Sequence, residues 1–305
     1  METQIPRITK NHKGADKMKQ ITILSGKGGT GKTTITACFA ALSENALFAD
    51  CDVDASNLHL LLNPTIKETM DFKGLNVAKI DPTKCIECGK CVELCRFNAI
   101  EDFKIDPIHC EGCMVCVVNC PVEAIEFNER ICGHAYISET KYGPMSHARL
   151  TPGMENSGKL VTLVRQNASK LAEEKGKDLV LVDGSPGIGC PVIASIANID
   201  AAIVVVEPTL SGIHDLKRAV ELLDHFEITP VVIINKYDIN EENTSDLEKY
   251  CKESSIVLLG KVPFDSTVTK AMVQGVPVVE FDSDTASSKA IKEIWKRFNK
   301  QLLSD

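Results

Sequence analysis

Two sets of residues in this chain have the types and spacing to do chemistry. The first is cysteine: Cys85, Cys88, Cys91 and Cys95 recur as Cys110, Cys113, Cys116 and Cys120, all offset by 25, and Ala99-Ile100 recurs as Ala124-Ile125 at the same offset. Soft thiolates at this density suit iron–sulfur clusters or zinc, and so regular a repeat implies two similar halves related by pseudo-symmetry. The second set is Gly26-Lys27-Gly28-Gly29-Thr30-Gly31-Lys32-Thr33-Thr34, a G-x-x-x-x-G-K-T motif with a strand-like run before it and a helix-compatible run after it. The glycines permit positive φ and close approach of backbone N–H groups to phosphate, and the helix N-terminus favours an anion. Lys32 is expected on the β- and γ-phosphates of a nucleotide and Thr33 on Mg2+. A near-match from Gly153 to Lys159 ends in Leu160, which has no hydroxyl for magnesium, and no apolar strand precedes it. It reads as a decoy loop.

The elements that must position these residues are legible as apolar runs. Residues 21–24, 46–49, 179–182, 201–206 and 231–234 read as buried parallel strands, with 256–259 as a sixth. Helical periodicity between the later runs, as in Leu216, Ala219, Val220, Leu223 and Phe226, makes this a doubly wound, mostly parallel α/β sheet. The alternation breaks where the cysteines crowd. The expected organisation is therefore a flexible tail at 1–19, an α/β domain in two parts at 20–78 and 131–305, and a small cysteine module at 79–130. Residues 131–159 lack periodicity and read as a long loop returning to the α/β domain.

Composition narrows the partners. With 305 residues and 44% hydrophobic content the chain can fill a sizeable core. A net charge of -8 disfavours nucleic acid, which usually needs a basic face. No apolar run reaches the roughly 18–20 residues of a membrane span, and the polar start is unlike a secretory signal, so a cytoplasmic protein is expected. In such a reducing compartment, thirteen cysteines point to metal ligation before disulfides.

The cysteine module, whose second copy ends in Cys120-Pro121, resembles the bacterial ferredoxins, small α+β domains that hold two [4Fe–4S] clusters. The resemblance implies that Cys85, Cys88, Cys91 and Cys120 hold one cluster and that Cys110, Cys113, Cys116 and Cys95 hold the other. Arg96 departs from the pattern, standing where a proline often follows the fourth cysteine and setting a positive charge near a cluster.

The extra lysine in Gly26-Lys27-Gly28-Gly29 resembles the deviant Walker A motif of the family containing MinD, ParA, the Mrp-type carriers and the nitrogenase iron protein, a branch of the SIMIBI-class P-loop NTPases. That resemblance implies an ATPase that closes as a homodimer, or as a heterodimer with a related ATPase, with Lys27 reaching the partner's nucleotide. Asp50-Cys51-Asp52-Val53-Asp54 looks like switch I, with Asp52 orienting the attacking water and Asp54 a candidate for the magnesium shell. Asp183 in Leu181-Val182-Asp183-Gly184 looks like the Walker B magnesium ligand, and Asn235, Pro263 and Asp265 resemble adenine-binding positions. Cys190 resembles the cysteine that ligates the bridging cluster of the nitrogenase iron protein, but Cys132 is not in the place of its companion, so no third cluster is expected. Cys38 and Cys251 read as core.

The functional expectation is an ATP-gated redox protein with a redox or cofactor-accepting protein partner. The alternatives are an iron–sulfur carrier, against which stands the lack of a late C-x-x-C pair, and a redox-sensing positioning switch. The stripe Ile291, Ile294, Trp295, Phe298 and Leu302, set among lysines, could lie on a membrane. Packing as a last core helix is the preferred reading.

Overall fold

A computed structural model describes residues 18–152 and 157–300. In the first half run β1 (Lys19–Ser25), α1 (Lys32–Leu42), β2 (Ala46–Asp50), α2 (Leu58–Leu62), β3 (Thr65–Ile80), α3 (Lys90–Leu94), β4 (Ile100–Glu101), β5 (Lys104–Ile105), α4 (Val115–Val118), β6 (Ile125–Thr140) and β7 (Gly143–Leu150). There follow α5 (Ser157–Glu174), β8 (Leu179–Pro186), α6 (Cys190–Ile196), β9 (Ala201–Val206), α7 (Leu210–His225), β10 (Pro230–Asn235), α8 (Glu241–Glu253), β11 (Val257–Val262), α9 (Ser266–Val273), α10 (Val278–Phe281) and α11 (Ala286–Phe298).

The nine-stranded sheet has the order β11-β10-β9-β1-β8-β2-β7-β6-β3. All its pairings are parallel except β7–β6 and β6–β3. The central strands are β-branched runs buried on both faces, as covered parallel strands must be. Successive residues serve opposite layers: Ile21, Ile23, Phe48 and Leu181 pack under α1 and α11, while Leu47, Ala49, Val180 and Val182 pack under α5. The α11 stripe is core, its Trp295 and Phe298 rings lying 4.9 and 6.0 Å from Phe39. Leu302 lies outside the described residues, as do residues 1–17 of the expected tail, whose Lys19 already belongs to β1.

The segment 131–159 is not a loop. It supplies the second half of β6, all of β7 and the start of α5. Periodicity misses β7 because its buried positions include polar ones: Ser146 Oγ donates to Val164 O at 2.9 Å, and His147 Nε2 lies 2.8 Å from Ser138 Oγ. Burying such groups is cheap only once they are paired. The expected boundaries at 78/79 and 130/131 likewise fall inside β3 and β6, two 16-residue strands paired from Thr65↔Glu139 to Ile80↔Ile125.

Only Gly133–Thr140 of β6 also pairs with β7, so the distal halves of β3 and β6 leave the sheet as a two-stranded ribbon. Such a ribbon is marginal alone. Its tip is stabilised by a satellite core of Ala78, Ile80, Ile100 and Ile125 under the cysteine module, and Arg130 donates to Pro107 O. Gly112, at φ 62, lets the module sit against the ribbon, since a Cβ there would lie 2.4 Å from Asn76 O. At the opposite end of β6, in the turn into β7, Glu280 accepts from Lys141 Nζ at 2.5 Å and Tyr142 OH at 2.8 Å, and Lys175 pairs with Glu139.

His147 lies on β7 opposite Tyr136, in the stretch that holds β6 to the sheet, and is 7% exposed. Burial, then His59 and Arg149, push its pKa down to about 4 from 6.5. The unfolded chain takes up a proton below about pH 6.5 that the native imidazole refuses until about pH 4, so native stability falls with pH across that window. Wild type should therefore lose about 2 kcal/mol more than His147→Gln between about pH 7 and pH 5. Urea midpoints at the two pH values measure this, and equal losses would refute it.

Candidate functional site

The first site forms where β1 turns into α1. Gly29 and Gly31 have φ of 84 and 89, in the left-handed region that favours glycine. A Cβ on Gly28 or Gly29 would meet nothing within 4 Å, so space is open beside the loop, whereas one on Gly31 would lie 2.3 Å from Asn235 Nδ2. Asn235 donates to Thr30 O at 2.8 Å, bringing the end of β10 onto the loop. Thr30 Oγ1 is buried with no hydrogen-bond partner among the described residues, an unmet polar atom within the glycine loop.

Beside the loop, Lys32 is buried among carboxylates. Its Nζ is 3.0 Å from Asp183 Oδ1 and 3.7 Å from Asp52 Oδ2. Asp183 also accepts from Thr33 Oγ1 at 2.7 Å and Thr36 Oγ1 at 2.8 Å. Asp50, the last residue of β2, and Asp183, within β8, are register partners and both wholly buried. Burial, followed by Asp183, raises the Asp50 pKa, and burial also raises that of Asp52 against the pull of Lys32. Burial opposes the charge on Lys32, but Asp183, Asp52 and Asp50 outweigh it and raise the lysine. Asp183 and the Thr33 hydroxyl, 2.7 Å apart, supply a carboxylate and a hydroxyl oxygen, which suits Mg2+, an ion held by one or two carboxylates together with substrate phosphates and waters.

The other expected nucleotide residues divide. Gly26 allows α7 to approach, since a Cβ there would strike Asp215. Lys27 turns outward, its Nζ 3.2 Å from Thr209 Oγ1 and 3.0 Å from Ser211 Oγ at the start of α7. Thr34 reaches only Met272 Sδ, at 3.8 Å. Asp265 caps α9 through Thr267 N at 2.9 Å and accepts from Ser287 Oγ at 2.8 Å, while Pro263 follows the end of β11. Both Asp265 oxygens are thus engaged in holding α9 and α11. Sequence reasoning passed over Asp50 and Thr36. A signal existed for each: Asp50 ends an apolar strand as Asp183 does, and Thr36 follows Lys32 by one helical turn.

The second site is the module. Cys85, Cys88, Cys91 and Cys120 line one recess, and Cys95, Cys110, Cys113 and Cys116 line another. The 25-residue repeat is realised in the backbone, with left-handed residues paired as Glu87 with Gly112, Gly89 with Met114, and Asn98 with Glu123. α3 and α4 start at equivalent positions. Backbone N–H groups of Ala99 and Ala124 point at Cys95 and Cys120 Sγ, at 3.4 and 3.3 Å, and Glu87 N points at Cys85 Sγ at 3.4 Å. Such bonds favour thiolates. Burial, by contrast, pushes the Cys91 and Cys116 thiols up, with the neighbouring cysteines adding to it. Among the described residues, no three His, Cys, Asp or Glu side chains converge as a single-ion site requires. Of the remaining cysteines, Cys38, Cys51, Cys132 and Cys251 are buried, and Cys190 is exposed at the start of α6.

Comparison with known proteins agrees with the first site. An uncharacterised protein of Methanocaldococcus jannaschii is 34% identical over 281 residues, covering 91% of this chain and 95% of its own. An iron–sulfur cluster carrier protein of Pyrococcus furiosus is 30% identical over 139 residues, 41% of this chain and 46% of its own length. Among solved structures, the septum site-determining protein MinD of Pyrococcus horikoshii, complexed with Mg-ADP, superposes with a TM-score of 0.57 at 18% identity, covering 93% of this chain and 96% of that one. The CobQ/CobB/MinD/ParA nucleotide binding domain profile matches residues 21–278. With that profile spanning the glycine loop, Asp50, Asp183 and Asn235, the chain belongs to the CobQ/CobB/MinD/ParA nucleotide-binding family.

Proposed function

We propose that this protein binds and hydrolyses Mg-ATP, holds two [4Fe–4S] clusters in its cysteine module, and uses ATP-driven closure of a dimer to gate electron transfer to a protein partner in the cytoplasm. The carrying observation is the sorting of eight cysteines into two recesses, each lined by three from one half of the repeat and one from the other. Cys85, Cys88, Cys91 and Cys120 would hold one cluster, and Cys110, Cys113, Cys116 and Cys95 the other, in a ferredoxin-like arrangement. Bound there, the clusters would supply reversible one-electron storage.

The protein's own groups set the ATP chemistry. Lys32 exchanges its carboxylate partners for the β- and γ-phosphates, and Thr33 with Asp183 holds the magnesium. Asp52, at 15% exposure the more accessible of the carboxylates beside Lys32, orients the attacking water. Lys27, held at the surface beside exposed Leu210, is available to the nucleotide of a second subunit, either another copy or a related ATPase. A second reading, transfer of a cluster to an apo-protein, is favoured by the partial likeness to a carrier.

Protein purified anaerobically should carry about eight iron and eight sulfide per chain. Cys120→Ser should remove the same electron paramagnetic resonance signal as Cys85→Ser, and Cys95→Ser the same as Cys110→Ser. If Cys120→Ser pairs with Cys110→Ser, the ligand exchange between halves is wrong. Asp52→Asn should still bind ATP but hydrolyse it ~10²-fold or more slowly, and Lys32→Ala should not bind it. Oxidation of the reduced protein by an artificial one-electron acceptor should depend on ATP in wild type. Equal rates without ATP and in Asp52→Asn would end the gating reading, and ATP-dependent movement of labelled iron into an apo-ferredoxin would replace it with the carrier one.

A further inference from the structure

One row of side chains crosses four strands between the nucleotide site and the ribbon. It starts at Asp50, which accepts from Ser56 Oγ at 2.7 Å, and Ser56 Oγ lies 3.4 Å from His59 Nδ1. Across the sheet, Asp50 of β2 is the register partner of His147 of β7, and His147 of Tyr136 of β6. His147 Nε2 is 2.8 Å from Ser138 Oγ, and its ring is 5.0 Å from that of Tyr136. The Tyr136 ring is 6.3 Å from His134, whose Nδ1 is 3.1 Å from Asp71 Oδ1 on β3. Residues alternate faces along a strand, so Asp50, His147, Ser138, Tyr136 and His134 share one face.

We propose that this row, with His147 as its central positioning residue, transmits the state of the nucleotide site to the ribbon and so sets the position of the cysteine module. The inference rests on the Mg-ATP reading of the site. Asp50 is buried beside Lys32 and Asp183, and when Lys32 turns to phosphate the carboxylates lose their counter-charge. Asp50 then shifts with the segment it holds, because it also accepts from the backbone N–H of Asp52 and of Leu58, at 3.1 and 3.2 Å. Ser56 and His59 move with that segment. On the other side, Ser138, Tyr136 and His134 lie where β6 is still held by β7, and His134 stands next to Gly133, where the ribbon leaves the sheet. A small change at such a root becomes a larger displacement at the tip. The site and the ribbon are thereby two places biased by one packed element, which is what coupling requires.

Hydrogen–deuterium exchange on the full chain tests this, with Mg2+ and a non-hydrolysable ATP analogue as the probe. In wild type the analogue should slow exchange in the glycine loop and also change it in 65–80 and 125–140. In His147→Phe, with affinity for the analogue within about threefold, loop protection should remain while the ribbon response falls by at least about half. His147→Gln, which can keep the Ser138 bond, should restore part of it, and Tyr136→Leu should repeat the loss should His147→Phe fail to fold. A ribbon response that persists in the folded variants, or is missing from wild type whose loop is protected, overturns the row and leaves the ATP reading standing. Absence of loop protection in wild type overturns the ATP reading, and the row with it.

Discussion

The buried ammonium of Lys32 is the constraint around which the α/β domain is arranged. Asp183 and Asp50 come from adjacent parallel strands, and Asp52 from the turn just after one of them. None of these carboxylates could be buried so deeply alone, because an unpaired charge in the interior costs several kcal/mol, about 3–5 when one partner of a pair is removed. The lysine holds the strand ends together, and the Thr33 and Thr36 hydroxyls supply the remaining bonds to Asp183. Electrostatically the arrangement is provisional. One cation faces three acids, and polyphosphate with a divalent ion can take over both roles, so the geometry is poised to change when they bind.

Around that centre the fold is conventional for covered parallel sheets, and the unusual feature lies at its edge. The module joins the sheet at its outermost strands through a ribbon only partly supported by β7. Placed there, the module disturbs none of the core layers under α1, α5 or α11. The stem is only two strands wide; a satellite core of four apolar residues with the cysteines closes its tip, and Glu280 and Lys175 tie down the far end of β6 at the turn into β7.

Chemically, the two sites are built on opposite principles. The nucleotide site draws its residues from β1, α1, β2, β8 and β10, so its geometry exists only once the sheet is assembled. The module is local: every cysteine lies within one short segment, and its shape follows from left-handed turns repeated at the same interval.

That difference explains what could be read from the sequence. Motif and repeat signals are short-range, so the glycine loop, the four-and-four cysteines, the parallel strands and the core role of Ile291, Ile294, Trp295 and Phe298 were legible as spacing alone. β3, β6 and β7 were not, because polar residues such as Ser146, His147 and Ser138 occupy buried positions that only cross-strand partners make tolerable. Nor could spacing reveal that Asp265 is tied to Ser287 of another helix, since that bond depends on a neighbour elsewhere along the chain. By itself the sequence determined which chemistry the residues can do. Tertiary structure alone decided that the module hangs from the sheet edge on a shared ribbon, because strand order and register arise from long-range pairing and burial, which leave no periodic trace in a polar segment.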